Sequence, residues 1–379
     1  MPALPTSITS SFATLSDPRA NQGKDHLLLD LLTIALCAVI CGADSFVEME
    51  QFGNAKREWL DTFLDLPNGI PSHDTFGRVF AALDPDQFHA CFLAWVRAAM
   101  TVTDGAVIAC DGKTVRRSHD RGAGKAAVHM VSAWASENRL VLGQIAVDEK
   151  SNEMTALPAL LDLLMLKGCI VTIDAMGCQT AIAQTIIDRE ADYVLALKEN
   201  HDTIYHEVQH LFADAHATSF ADYDHDAAET VDGGHGRVEV RRYWTISDPV
   251  TLAHLDADKE WAGLRSIGMV EATRREKGGA GKVTRETRYY LTSLTDAATF
   301  GRAVRAHWGI ENGLHWVLDI AFREDESRAR QGASAANLVV LRHIAVNLLK
   351  KEQTAKVGIK NKRLKAGWDE RYLLKVLAA

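Results

Sequence analysis

The sequence predicts an α/β protein: a mixed sheet flanked by helices, interrupted by a β-rich insertion and preceded by a helical N-terminal domain. Three observations predict it. From Asp25 to about Met100 the apolar spacing is helical throughout. Two short apolar runs, Ala106–Asp111 and Cys169–Asp174, each read as a buried strand that delivers a carboxylate to its C-terminal edge. Around them the patterns run strand, strand, strand, helix, strand, helix, strand.

The elements follow in order. Residues 1–24 are polar and are expected to be loosely ordered. The helical part comprises Leu27–Gly42, a segment around Val47–Phe63, Ser72–Leu83 and Asp86–Met100, with Ser72 able to cap its helix. A Pro67-Asn68-Gly69 turn before that helix gives a helix-turn-helix-like spacing, although a plain bundle accounts for it better. After Ala106–Asp111 come the β-rich segments Val128–Trp134 and Leu140–Val147, joined through a Glu137-Asn138 turn. A helix from about Met154 to Leu166 leads into Cys169–Asp174, and another over Gln179–Arg189 leads into Tyr193–Lys198. Strands joined by tight turns pair antiparallel, whereas strands reached through helical crossovers lie parallel. A mixed sheet of this order is that of the ribonuclease-H-like fold, in which the first and fourth strands are central neighbours. Asp111 and Asp174 would then stand side by side.

Residues 201–290 interrupt this scheme. A helix around Thr203–Ala215 leads into a Gly-rich turn at Asp232–Gly236, and Arg237–Ile246, Leu264–Arg274 and Val283–Leu294 read as strands. A helical pattern returns at Asp296 and holds to about Ala321, with Thr295 or Asp296 as its cap. A last apolar helix, about Ala335–Lys351, precedes a basic tail. The expected units are a helical domain over 1–104, a candidate for DNA binding, and the first part of the core over 105–200. The insertion at 201–290, the completed core at 291–351 and the tail at 352–379 follow.

The formal charge of −8 argues at first against a polyanionic partner, but the charge is segregated. No Lys or Arg falls between Lys198 and Arg237, a stretch rich in Asp and Glu. Basic clusters occur at Lys113, Arg116, Arg117, Arg121 and Lys125, at Arg274–Arg288, and at Lys350–Lys365. Each is compatible with phosphate contacts or with ordinary solvated charge. None of the six cysteines forms a C-x-x-C pair and several lie in apolar runs, which argues against a structural zinc site or a disulfide framework. The N-terminus lacks a basic n-region, and Leu27–Gly42 is too short to span a bilayer, so a cytoplasmic protein without membrane contact is expected.

In the helix after Asp296, His307, Glu311 and His315 are four apart and share a face, flanked by Trp308 and Trp316. Gly309 and Gly313 cost helix stability, roughly 1 kcal/mol each relative to Ala, which suggests that something approaches that face closely. A helix packed by its tryptophans, with Glu311 merely solvated, fits the spacing equally well. Three carboxylates from Asp111, Asp174 and Glu311 would repel one another without a cation between them, an arrangement suited to Mg²⁺ and phosphate esters. Other motifs are weaker: Gly278–Lys282 lacks the spacing of a phosphate loop, and His206 and His210 have no third metal ligand.

Taken with their neighbours, the segments Cys110-Asp111-Gly112-Lys113, Asp174–Gln179 and His307-Trp308-Gly309-Ile310-Glu311-Asn312 resemble a DDE transposase. His315–Asp319, Phe322–Asp325 and Pro71–Phe80 extend the likeness, which is closest to the bacterial H-repeat-associated insertion-sequence group and runs from about Asp25 to Lys351. The resemblance implies cut-and-paste DNA transposition on a ribonuclease-H-like core, with Asp111, Asp174 and Glu311 as catalytic and metal-binding residues. It further implies two Mg²⁺ ions per site, replaceable by Mn²⁺, and double-stranded DNA substrates, namely terminal inverted repeats and target. A homodimer on paired ends, acting at the bacterial nucleoid, would follow. Lys113, Arg116 and Arg117 would hold phosphates near the first strand. The wider superfamily surrounds its Glu with Tyr, Arg and Lys, where this chain has Val304, His307 and Leu318. Lys198, Arg305, His307 and, on the same helix face, His315 are the candidate DNA contacts in their place. A nuclease without strand transfer, or a decayed DNA-binding protein, are the competing functions.

Overall fold

The computed structural model describes residues 10–20, 24–99, 103–119, 124, 126–147, 153–234, 236–276 and 283–379. The basic residues Arg121, Lys125, Lys277 and Lys282, and the Gly278–Lys282 segment, lie outside the described residues.

The N-terminal part contains the helices α1 (Leu28–Ile40), α2 (Phe46–Ala55), α3 (Arg57–Leu60), α4 (His73–Ala82) and α5 (Pro85–Ala99). Their starts are written locally. Ser45 and Glu48 form a reciprocal capping box for α2, and Ser72 accepts a hydrogen bond from the Thr75 amide at the start of α4. The chain ahead of them is partly packed rather than loose, because Phe12 and Leu15 are buried against the bundle.

The sheet contains β1 (Val107–Thr114), β2 (His129–Ala135), β3 (Leu140–Val147), β4 (Ile170–Ile173) and β5 (Asp192–Leu197), with α6 (Glu153–Asp162) and α7 (Thr180–Asp188) as crossovers. These strands lie in the order β3-β2-β1-β4-β5, antiparallel on the hairpin side and parallel across β1-β4-β5. This is the ribonuclease-H-like arrangement. Cys110 pairs with Ile173, so the residues that follow stand side by side: Asp111 within β1, which runs on to Thr114 beyond the apolar run, and Asp174 just past the end of β4.

The strands read as an insertion continue the same sheet. After α8 (Asp202–Ala217) come β6 (His225–Gly234), β7 (Arg237–Ile246), α9 (Pro249–Leu255), β8 (Ser266–Glu276) and β9 (Val283–Thr292). β9 pairs antiparallel with β5, extending the sheet to nine strands in the order β3-β2-β1-β4-β5-β9-β8-β7-β6. Strand β6 covers most of what sequence alone reads as a loop and turn. Its acids are poor strand formers, but ten consecutive residues pair with β7, and Glu229 and Asp232 meet Arg242 and Arg241 across the strands.

A long helical stretch follows: α10 (Ala297–Ile310), a π-helical turn over Glu311–His315, and α11 (Trp316–Ala321). Asp296 caps α10 by accepting from the Thr299 amide at 2.6 Å. Then α12 (Ser334–Lys351) runs buried between the bundle and the sheet. Its Asn337 amide donates to the Phe80 and Leu83 carbonyls, and Asn347 bonds both the N–H and the C=O of Val141 on β3. These amides satisfy backbone groups that would otherwise be buried without partners.

The expected basic tail is instead two further helices, α13 (Ile359–Trp368) and α14 (Glu370–Leu377). Arg363 is buried, donates to the carbonyls of Val39 and Ala43, pairs with Asp44 at 3.1 Å and lies over the Phe322 ring. Lys362 is buried beside Glu352 and donates to the Leu349 carbonyl. Tyr372, Leu373, Val376 and Leu377 complete an apolar face that linear charge counting obscures. Among the described residues no helix is long and apolar enough to cross a membrane.

Candidate active site

The middle of β1, the end of β4 and the middle of the α10–α11 stretch meet at one cleft of about 660 Å³, lined by Asp111, Asp174 and Glu311. Asp111 accepts from the Gly112 amide at 2.8 Å, and Asp174 turns the chain by accepting from the Met176 amide at 3.1 Å. Glu311 is exposed and opens the π-helical turn, a local widening that commonly marks functional sites. Burial pushes the Asp111 carboxyl up to about 7, reinforced by Asp174, Glu311 and Glu153, while the Gly112 amide works against the shift. The donors are all carboxylate oxygens, the chemistry a hard divalent cation takes. They surround a cleft rather than a closed cage: among the described residues, no three His, Cys, Asp or Glu side chains are gathered tightly enough to enclose an ion.

The glycines of α10 and the π turn have a specific neighbour. A Cβ at Gly313 would come 2.8 Å from the Trp134 ring, and one at Gly309 would lie 3.4 Å from its Nε1. The close approach inferred from sequence is therefore β2 packing its tryptophan under the helix that bears Glu311.

The two histidines of this helix meet different strands of the sheet. His307 shares a 2.9 Å hydrogen bond with the Thr172 hydroxyl on β4, and burial lowers its pKa. His315 is half-buried with Nδ1 3.5 Å from Asp111 Oδ2 and is held down to about 3, chiefly by desolvation. It is a partly exposed neighbour of Asp111.

Lys113 lies among acids. Its Nζ lies 2.8 Å from Asp319, 3.3 Å from Glu324 and 3.2 Å from Asp325, so three acids already surround its charge. Arg116 is exposed and pairs with Asp325 at 3.1 Å, and Arg117 is exposed. Lys198 is exposed on the cleft wall at the end of β5. Arg305 is exposed in an adjoining groove that shares Glu311 and Trp308 with the cleft. Val304 and Leu318, at positions where the wider superfamily places Tyr and Lys, are buried core residues. On the acidic α8, His206 and His210 are exposed, with His206 paired to Asp202 at 3.1 Å.

Sequence reasoning missed two features. Arg288 on β9 lines both cleft and groove and lies over the Trp308 ring at 4.5 Å; only the β5–β9 pairing brings it there. Behind Asp111, His129 and Glu153 are buried 2.5 Å apart and occupy the space a Cβ at Gly112 would need. A Glu at the start of a helix gives no linear signal of that contact.

A ribonuclease-H-like sheet that brings two carboxylates to a cleft, met there by a third from a helix, defines the class: a protein of the acidic-triad type. The chain belongs to the transposase DDE domain family, whose profile matches residues 102–348, while residues 9–96 match the family described as DDE_Tnp_1-associated. It is 41% identical to "Putative transposase YncI" of Escherichia coli O157:H7, over 98% of this chain and 95% of that protein. It is 38% identical to "H repeat-associated putative transposase YhhI" of Escherichia coli K12, over 96% of each. Among solved structures, a piggyBac transposase synaptic complex with hairpin DNA aligns with a TM-score of 0.44 and 8% identity, over 98% of this chain and 78% of that one.

Proposed function

We propose that the protein is a DNA transposase that cleaves at the ends of its element and joins them to target DNA by a cut-and-paste route. The observation that carries this reading is the meeting of Asp111, Asp174 and Glu311 at one cleft in a chain of the transposase DDE domain family. These three side chains would hold Mg²⁺, with Mn²⁺ able to substitute and two ions per site. Bound there, the metal supplies Lewis-acid stabilisation of charge on the phosphoryl and leaving oxygens and lowers the pKa of an attacking hydroxyl.

The chain's own groups orient the substrate. Lys198 and Arg288 on the cleft wall hold phosphate oxygens, and Arg305 extends that contact into the adjoining groove. Thr172 fixes the ring of His307 at the cleft floor. The substrates are double-stranded terminal repeats and target DNA, the expected assembly is a homodimer on paired ends, and the place of action is the cytoplasmic nucleoid.

The test places the element's own ends around a marker on a plasmid and measures Mg²⁺-dependent excision and reinsertion, with Asp111→Asn and Glu311→Gln beside the parent. Loss of both steps in both variants, with folding and DNA binding intact, is the expected result. Cleavage without joining would replace this reading with a nuclease, and binding without cleavage by the parent with a decayed element.

A further inference from the structure

A second concave surface lies where the helical bundle meets the chain after α11. This groove of about 730 Å³ is walled by the N-terminal ends of α2 and α4 and by residues 327–338. It joins two motifs to which the active site assigns no part: Pro71–Phe80 and the segment after Phe322–Asp325.

Its charge is unbalanced in one direction. Arg78 and Arg328 line it and are exposed, and Arg330 lines it half-buried. Arg330 donates to the Arg117 carbonyl at 2.9 Å, which brings the exposed Arg117 to the same edge. Among the described residues, none of these four guanidiniums is in an ion pair. Asp44 and Asp74 also line the groove, Asp44 meeting Arg363 at 3.1 Å; outside it Glu50 meets His73 at 2.6 Å, and Glu326 meets Arg323 while also feeling the charge of Arg117. Asp74 is 3.6 Å from His73. Unpaired guanidiniums spread along a groove, with serine hydroxyls from Ser45 and Ser327 between them, are the donor set for a row of phosphates.

We propose that this groove holds the phosphate backbone of the duplex adjoining the cut at the element's end; the proposal takes its substrate class from the transposase reading above. The distance fits. Arg117 follows Asp111 by six residues, which span at most roughly 20 Å of chain. The edge of the groove at Arg117 therefore lies within about one helical turn of DNA from Asp111.

The experiment uses the full chain in EDTA, so that nothing is cut, and fluorescence anisotropy on two labelled duplexes. One carries the element's terminal repeat and the other a scrambled sequence. Arg78→Ala, Arg117→Ala and Arg328→Ala are compared singly and together with the parent across a salt series. Each single change is expected to lower the slope of log K against log salt by about 0.9. The triple variant is expected to lose at least tenfold in affinity for the terminal repeat, with Arg189→Ala, a surface arginine paired with Asp162, as the unchanged control. Coincident thermal melts separate this loss from unfolding, and the single variants carry the test if the triple melts early. An unchanged slope in a triple variant of a parent that binds overturns this proposal alone. Loss confined to the scrambled duplex also overturns it, since the groove would then serve target DNA. A parent that binds neither duplex overturns both this proposal and the function it rests on.

Discussion

His315 Nδ1 lies 3.5 Å from Asp111 Oδ2, but the two do not neutralise each other. Burial holds His315 down to about 3, so the ring is uncharged at neutral pH, while Asp111 is pushed up to about 7. The histidine can orient the carboxylate without compensating it. The unrelieved charge at Asp111 is thus a property of the protein alone, and it has measurable consequences.

The first concerns pH and stability. A carboxyl raised from 3.8 to about 7 ionises more easily in the unfolded chain, so the folded state loses stability as pH rises from about 4 through 7. The full effect above pH 7 is of the order of 4 kcal/mol. Asp111→Asn should therefore resist urea more than the parent at pH 8 in EDTA, with the advantage fading toward pH 4. Parallel urea curves at every pH would show that Asp111 ionises normally.

Metal addition should act in the opposite sense. A cation bound only by the folded protein raises its melting temperature by mass action. Mg²⁺ is expected to raise the Tm of the parent at pH 8 and to leave Asp111→Asn and Glu311→Gln nearly unmoved. Equal shifts in all three proteins would place the bound ion elsewhere.

Lys113 is expected to matter for folding more than for DNA. Its removal leaves the buried Glu324 with only Arg342, 3.5 Å away, as a counter-charge. Lys113→Met should destabilise by about 3–5 kcal/mol in urea unfolding, the usual cost of stranding a buried charge. A variant as stable as the parent, but with a reduced salt dependence of DNA binding, would restore the phosphate-contact role.

Gly309 and Gly313 should respond differently to alanine. At Gly313 the new Cβ meets the buried Trp134 ring at 2.8 Å and must displace either the ring or the turn bearing Glu311; at Gly309 the contact is an ordinary 3.4 Å. Gly313→Ala is expected to cost about 1–3 kcal/mol, while Gly309→Ala gains helix propensity and is close to neutral or stabilising. Thermal melts of the two variants make the comparison, and the reverse order would contradict the packing.

The C-terminal helices supply the fifth test. Arg363 makes hydrogen bonds to the Val39 and Ala43 carbonyls and an ion pair to Asp44. Arg363→Ala should destabilise by about 3 kcal/mol or more, because it strands buried acceptors and a carboxylate together. An Arg363→Ala protein with parental urea resistance would show that α13 is dispensable.

Much of the core was legible in the chain because its signals are local. A short apolar run ending in Asp states both a buried strand and the place of its carboxylate, as at Ala106–Asp111 and Cys169–Asp174. The caps Ser72 and Asp296 also act within three residues of themselves. Strand β6 was not legible, since its acidic sequence forms a strand only through ten pairings with β7. Nor was the burial of Lys362 and Arg363, whose acceptors lie mostly in distant segments and whose charge alone reads as surface.

By itself, then, the sequence determined the order of the central strands, the residues at their ends and the helix that carries Glu311, because turn chemistry and hydrophobic period are short-range. Tertiary structure decided which charges remain free. Lys113 and His315, near Asp111 in the fold and outward-facing by pattern alone, are surrounded by Asp319, Glu324 and Asp325 or desolvated, whereas Arg288, paired with Glu286 at 2.6 Å, reaches the cleft through β9. The reason is that an ion pair or a desolvated ring depends on distances between segments far apart in the chain, which no linear spacing encodes.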